Sequence, residues 1–533
     1  MVRRKSGLLV YIICLTVLLS HANWCAAQPV KVLGVPGFVP AYRVVQIAAG
    51  PEYDKGWLHK FLFGKHYRKV WAEPVNAQIF DITRSMGGFI PLKMGGSFQT
   101  KNLRLEDSLG KEFVIRSVNK DPAQKLSKRI QKSFIARLVR DQTSVIHPYG
   151  YYIVPTLSDA VGVYHTNPRL IYIPDDPDLG EFRQEFANML AMLEERPDGE
   201  RQEVESFGSP VKVYSSRKAY AKIFADPCHR VDARHYLRSR LFDIWIGDWS
   251  RREDQWRWAI FEKGNVTAYR GVPRDRDHAF FLLDDGVISW VFTRFKPDLQ
   301  SFHHKIKNVN GYSLTGRPTD LTFFNFLTKA DFLQIADSMQ QALTDEVINE
   351  ALAVWPENIR SISEKEFTSK LTARRQQLPK VAEKLYAILA TEVNIPGTDK
   401  KEKFNIERLQ NGDVKVQVYS DNENCTADSV LGERIFHRKE TRLIRIYGLG
   451  GDDKIQINGS GKRGIKLEIY GGEGKDEISN LATSRSPKRY TKIYDSDDGD
   501  EIKEGKKAKV IDDYNPLAEE FNSAGWLLRH RLY

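Results

Sequence analysis

Cysteine is scarce. The 533 residues contain four, and two of them, Cys14 and Cys25, lie within the first 27 positions. The other pair, Cys228 and Cys425, has no metal-ligand spacing, which excludes a cysteine-ligated zinc or iron–sulfur centre. One disulfide in an oxidising compartment, or two inert thiols, are the readings left. Long apolar runs are missing beyond residue 19, so no membrane-spanning helix is expected in the mature chain. Acid is in the minority, with 69 Asp and Glu against 80 Lys and Arg and a net charge of +11. The excess is spread along the chain, without the basic stripe a nucleic-acid binder shows, so no nucleic-acid partner is expected. It slightly favours an anionic envelope surface.

The N-terminus carries what the rest lacks. Arg3, Arg4 and Lys5 precede an apolar run from Leu8 to Leu19, and Ala26-Ala27 precede Gln28. That is the order of a secretory signal peptide, with cleavage expected after Ala27. Cleavage removes three cations and no acid, leaving +8 of the +11. The expected mature chain is exported, to the periplasm or the periphery of the outer membrane. Its length suits more than one domain.

The most informative stretch runs from Asp243 to Phe281. Asp232 can cap a helix to Ile246, buried along Leu237, Leu241, Ile244 and Trp245. A charged loop follows from Gly247 to Gln255. Trp256 to Phe261 and Val266 to Tyr269 flank Glu262-Lys263-Gly264-Asn265, the pattern of a β-hairpin. Asp275 and Asp277 then alternate in P-R-D-R-D-H-A-F, which in an extended segment points both the same way. Loop, hairpin and acidic pair is the order in which kinases present a catalytic loop and a metal-binding aspartate. The pair can equally be an ion-pair network with Arg274 and Arg276.

This segment resembles the atypical kinases of the toxin-antitoxin and spore-coat types, whose loop reads G-(N/D)-x-D-R-H-x-x-(N/Q) ahead of a hairpin and a D-x-D-x-x-F-like segment. Gly247, Asp248, Arg251, Gln255, Asp275, Asp277 and Phe280 match; Ser250 replaces the base aspartate and Arg252 the histidine. The resemblance implies a two-lobed kinase-like fold more than kinase activity. It implies an ATP-like nucleotide with Mg or Mn, Asp277 and Asp275 on the metal, Gln255 as a second-site amide, and Asp248 or Asp254 as replacement base beside Arg251. On the same reading Gly95 and Gly96 approach phosphates, Arg116 or Lys120 supplies the cation, and Ser250→Asp restores transfer.

Elsewhere the expectations are coarser. Residues 28–84 read as an arm, and 85–395 as the kinase-like α+β domain. Within it, Gly87 to Lys120 reads as β, with a hairpin around a turn at Asp107–Gly110, Ala123 to Asp141 as a helix, and Tyr151 to Pro155 and Arg169 to Pro174 as strands. Phe182 to Glu195 reads as a helix, as do Thr328 to Trp355 and Ser363 to Val393, the last kinked or broken at Pro379. His147 reads as a turn or core residue.

Residues 397–515 read as an all-β repeat, with 516–533 as a tail. Asn411-Gly412 marks a hairpin. Tyr447, Tyr470 and Tyr494 recur 23 and 24 residues apart, each leading into an acidic Gly turn, the period of a solenoid coil. Gly471 to Ile478 matches the calcium nonapeptide, making Asp453, Asp476 and Asp500 candidate calcium ligands. The alternative is that glycine and aspartate only form corners. The order of H-P-Y-G at His147, G-D-W-x-R-x-x-D-Q-W-R-W from Gly247, L-x-x-R-R-x-x-L around Arg374 and Y-G-L-G-G-D-D from Tyr447 is similar to a family of Gram-negative envelope proteins. Some of these continue into an outer-membrane β-barrel, for which the stretch before Tyr533 is too short. That resemblance implies an envelope partner, such as a barrel encoded elsewhere, and keeps a non-catalytic scaffold open as the second reading.

Overall fold

The computed structural model describes residues 31–32, 43–95, 100–420, 430–461, 464–483, 490–494, 501–505 and 508–511. The expected signal segment, Gly96, Cys425, Asp500 and the tail lie outside the described residues. Cys228 is disulfide-bonded.

The chain is α+β, with several sheets and many helices. The first sheet holds β1 (Lys31–Val32), β2 (Val44–Ala48), β3 (Pro74–Ile79), β4 (Phe89–Gly95), β5 (Asn102–Asp107), β6 (Glu112–Ser117), β7 (Arg169–Ile173) and β8 (Met189–Glu195), in the order β1-β2-β3-β7-β8-β6-β5-β4. Strands β5 and β6 form the expected hairpin, and β4 pairs antiparallel beside β5. Alternation puts Leu103, Leu105, Ile115, Ile171 and Leu193 into one core. The stretch read as an arm supplies β2 and β3, which extend this sheet through a parallel pairing of β3 with β7.

Three expectations change here. Phe182 to Glu195 is a single helical turn, Arg183–Phe186, followed by β8. Strand β8 is central, so five consecutive positions from Leu190 to Glu194 are buried, and such a run lacks the alternation that marks a half-exposed strand. Tyr151 to Pro155 is a short turn entering the helix Val154–Ala160, with Pro155 in the first turn, where its missing N–H costs nothing. The helix expected from Ala123 occupies only Phe134–Asp141, capped by Ser133.

A second sheet, β10-β12-β11-β9, holds β9 (Lys212–Ser215), β10 (His229–Val231), β11 (Trp256–Lys263) and β12 (Val266–Pro273). Strands β11 and β12 are the expected hairpin, paired from Trp256–Pro273 to Lys263–Val266. The helix Ala233–Ile246 starts at Asp232, whose side chain accepts the His235 N–H, and ends at Gly247 in the left-handed region at φ 80°. Three helices pack on it, Lys329–Ala342, Glu357–Arg375 and Leu378–Ala390, and Asp345–Ala353 packs in turn on Glu357–Arg375. Pro379 opens the last helix instead of breaking one. His147 is buried, stacked on Trp355 at 4.7 Å and bonded to Ser363, and burial lowers its pKa to about 3.

Beyond Thr391 the chain alternates between two sheets. One, β13 (Glu392–Pro396), β17 (Leu443–Gly450), β19 (Lys466–Glu473), β21 (Thr491–Tyr494) and β23 (Lys509–Ile511), is parallel throughout. The other runs β16 (Val430–Phe436), β15 (Val414–Ser420), β14 (Glu402–Arg408), β18 (Lys454–Gly459), β20 (Glu477–Asn480) and β22 (Glu501–Lys503). It begins antiparallel at the Asn411-Gly412 hairpin and turns parallel from β14 onward. Ile406, Ile446, Ile455, Ile469 and Ile478 fill the space between the sheets. Equivalent residues meet at the repeat spacing: Tyr447, Tyr470 and Tyr494 stack at 4.8 and 4.5 Å with their rings nearly parallel.

Candidate functional site

A narrow cleft, with an interior of about 60 Å³, lies between the first sheet and the end of the hairpin. The sheet brings Arg116 near the end of β6, Lys120 three residues past it, and Glu194 from β8. The end of β12 brings Asp275 and Asp277. Arg116 donates to Glu194 at 2.7 Å and also pairs with Asp275, while Lys120 pairs with Asp277. Thr166 donates to the other Glu194 oxygen at 2.7 Å, and Tyr151, Pro148, His165 and Met192 complete the walls.

The two aspartates do not lie on an extended strand. Asp275 sits in the left-handed region at φ 57°, and Arg276–His278 form a 3-10 turn. This turn, not strand alternation, aims both carboxylates at the sheet. Neither depends on Arg276, which bonds Ser158 at 3.0 Å and Asp243 at 3.4 Å, and Arg274 is 3.9 Å from Asp275. Burial pushes Asp277 up, but Lys120 and then His278 outweigh it and hold the carboxyl well below its usual range. Asp275 is likewise lowered, by Arg116 and Arg274 against burial. Both stay ionised and about a quarter exposed, at 24% and 27%. Glu194 goes the other way, raised by burial that Arg116 only partly opposes.

The loop Gly247–Gln255 turns inward instead. Arg251 donates to Asp243 at 2.8 and 3.1 Å, to the Arg274 carbonyl at 2.8 Å, and to Asp248. Arg240 joins this fully buried group and bonds Asp320 at 2.8 Å. The Asp248 carboxylate also accepts the Ser250 N–H at 3.0 Å, and burial, ahead of the pull of Arg251, raises its pKa to about 6. Gln255 accepts the Arg252 N–H at 2.9 Å and donates to Ser250 Oγ at 3.2 Å. Asp254 is at the surface, 3.1 Å from Arg252. Asp248, Asp254 and Gln255 therefore differ from the expected placement: none lines the cleft, because each is engaged with a neighbour in the loop. Gly95 ends β4 near Arg104 and does not line the cleft either.

Arg116, Lys120, Asp275 and Asp277 are thus brought together as the sequence suggested. Glu194, Thr166 and Tyr151 were missed. The signal for Glu194 was present, since in a strand Met192 and Glu194 share one face and both line the cleft. Among the described residues no group of three His, Cys, Asp or Glu side chains is arranged to hold a metal alone. In the cleft, the Asp275 and Asp277 carboxylates are each paired with a cation, Arg116 and Lys120 respectively.

No family model matches the chain, and a comparison with curated proteins found no match. Among solved structures, the Helicobacter pylori proinflammatory kinase CtkA aligns at 10% identity over 53% of this chain and 93% of that one, with a TM-score of 0.25. A likeness at that level says nothing of chemistry.

Proposed function

We propose that the cleft binds a metal–nucleotide, or a related phosphorylated ligand, in a two-lobed kinase-like domain with weak or absent phosphotransfer. The observation that carries this reading is the facing of Arg116 and Lys120 by Asp275 and Asp277 across one opening. Phosphate oxygens would take the place of the carboxylates on the two cations. The released carboxylates would hold Mg or Mn, which supplies charge neutralisation on the phosphates. Phosphotransfer additionally needs a base near the acceptor, and Ser250 and Asp248 are buried within the loop. On this reading the chain is exported to the periplasm or the outer-membrane periphery, and the stacked coils form a solenoid.

That same burial favours a second reading, a non-catalytic envelope scaffold or assembly factor that keeps the kinase-like shape. Thermal shift with ATP or GTP plus Mg or Mn separates the two, because a ligand bound only to the native state stabilises it. A metal-dependent rise that Asp277→Asn abolishes and Asp248→Asn largely spares supports the cleft. No shift with any nucleotide–metal pair supports the scaffold.

A further inference from the structure

Two short helices form an apolar surface outside the cleft lining. Trp57–Phe63 and Val287–Thr293 pack on each other, with Ser289 donating to the Phe63 carbonyl at 2.9 Å. Yet their large side chains face outward. Trp57 and Phe295 are each 78% exposed, Phe61 59%, and Trp290, Val291 and Phe292 about half. Within Val287–Thr293 only Ser289 is buried, so an apolar helix presents most of its circumference to solvent. Patches of this kind on soluble chains mark interaction sites.

The rim is cationic. Lys55, Arg294, Lys296, Lys305 and Lys307 are exposed, and none has an ion-pair partner among the described residues. Of the nearby acids, Asp54 is engaged by Lys60 at 2.7 Å, Asp285 by the His66 N–H at 2.7 Å, and Asp284 by His303 at 2.8 Å; Asp298 has no ion-pair partner among the described residues, so the cations outnumber the unengaged acids. The Arg294 guanidinium lies over the Trp290 ring at 4.5 Å. A hollow beside it, lined by Arg294, Gln300, Lys305 and Lys307 and by the Asp284–His303 pair, is large enough for a headgroup.

We propose that this surface docks the protein on an anionic phospholipid bilayer, with the aromatic residues at the acyl boundary and the cations among the phosphates. Aromatic rings with adjacent Lys and Arg are the composition of membrane-interface anchors. The encircling exposure of Val287–Thr293 favours lipid over a protein partner, which would need a groove closing around the helix. Attachment requires no spanning helix, and the described residues contain none long and apolar enough to cross a membrane.

Hydrogen exchange of the full chain, with and without vesicles, tests this. With phosphatidylglycerol–phosphatidylethanolamine vesicles, residues 57–63 and 287–296 should exchange markedly more slowly, an effect absent with phosphatidylcholine and reduced by salt. Because exchange is read segment by segment, binding through the apolar N-terminus registers elsewhere. Trp290→Ser with Phe292→Ser, and separately Arg294→Glu with Lys296→Glu, should each lower vesicle partitioning by at least about tenfold. All four residues are exposed, so the fold should survive. Unchanged exchange in both segments, or undiminished partitioning of both variants, would overturn the proposal. So would a dimer in light scattering whose two segments are protected without lipid, which would assign the surface to a second copy.

Discussion

Arg374 caps the helix that delivers the loop: its Nε donates to the Trp245 carbonyl and its Nη2 to the Ile244 carbonyl, both at 2.6 Å. A third bond reaches the His303 carbonyl at 2.9 Å, and the Phe302 ring lies 4.9 Å from the guanidinium. The fully buried cation thus sits at the negative end of a helix dipole.

Arg374→Lys keeps the charge and loses the fork, leaving carbonyls without donors. The expected destabilisation is about 2–4 kcal/mol. Urea denaturation measures it, and an unchanged midpoint would mean the helix end is held by other contacts.

Ser250→Asp is not expected to restore phosphotransfer, contrary to the sequence-based expectation. Ser250 is 1% exposed, packed between Gln255 and the Asp248 carboxylate. A second carboxylate there would be buried beside a first. The expected result is a loss of stability of about 2 kcal/mol or more, with no gain in radiolabel transfer from ATP. Robust transfer by this variant would show that the loop opens outward.

The coil stack should lose stability as pH rises. Asp453 accepts the Glu402 N–H at 2.7 Å through one oxygen, and its other oxygen is buried without a hydrogen-bond donor among the described residues. Burial, then Glu402, raises its pKa from 3.8 to about 9, and burial raises Glu402 from 4.5 to about 7. The folded state therefore holds protons that the unfolded chain releases. This contribution is full below about pH 4, falls as pH rises to about 9, and is flat beyond. Calorimetry of the full chain from pH 5 to 9 should show a transition moving down with pH, and Asp453→Asn should flatten that movement. An equal slope in the variant would place the titration elsewhere.

Calcium should do little to the same transition. Asp453 and Asp476 each accept a backbone N–H from the preceding coil or strand, at 2.7 and 2.8 Å, and each is 2% exposed. Carboxylates used this way are corner pieces. A transition that rises with micromolar calcium would make them ligands instead.

What could be read in advance followed local signals. Asp232 through Gly247 carries both a cap and a left-handed stop, and Asn411-Gly412 carries its own turn, so both elements were legible. Strand β8 was not, because a strand covered on both faces has the same unbroken apolar run as a buried helix. The pairs Arg116–Asp275 and Lys120–Asp277 span 159 and 157 residues, and only a family pattern, not local chemistry, pointed to both sides. The loop failed for a different reason. Its motif letters match a catalytic loop in part, but Asp243, one turn back along the preceding helix, draws Arg251 inward, and Arg251 in turn holds Asp248.

A single residue, Thr391, separates the helix ending at Ala390 from β13, and Arg434 ties the coils back to Tyr386 and to the Asn325 carbonyl. Tyr447, Leu449 and Tyr470 belong to the same apolar core as the helices. The strands beyond Thr391 are therefore anchored in the helical core, and a change in packing at their root is expected to reach Leu378–Ala390 and, through the shared core, the helix Ala233–Ile246.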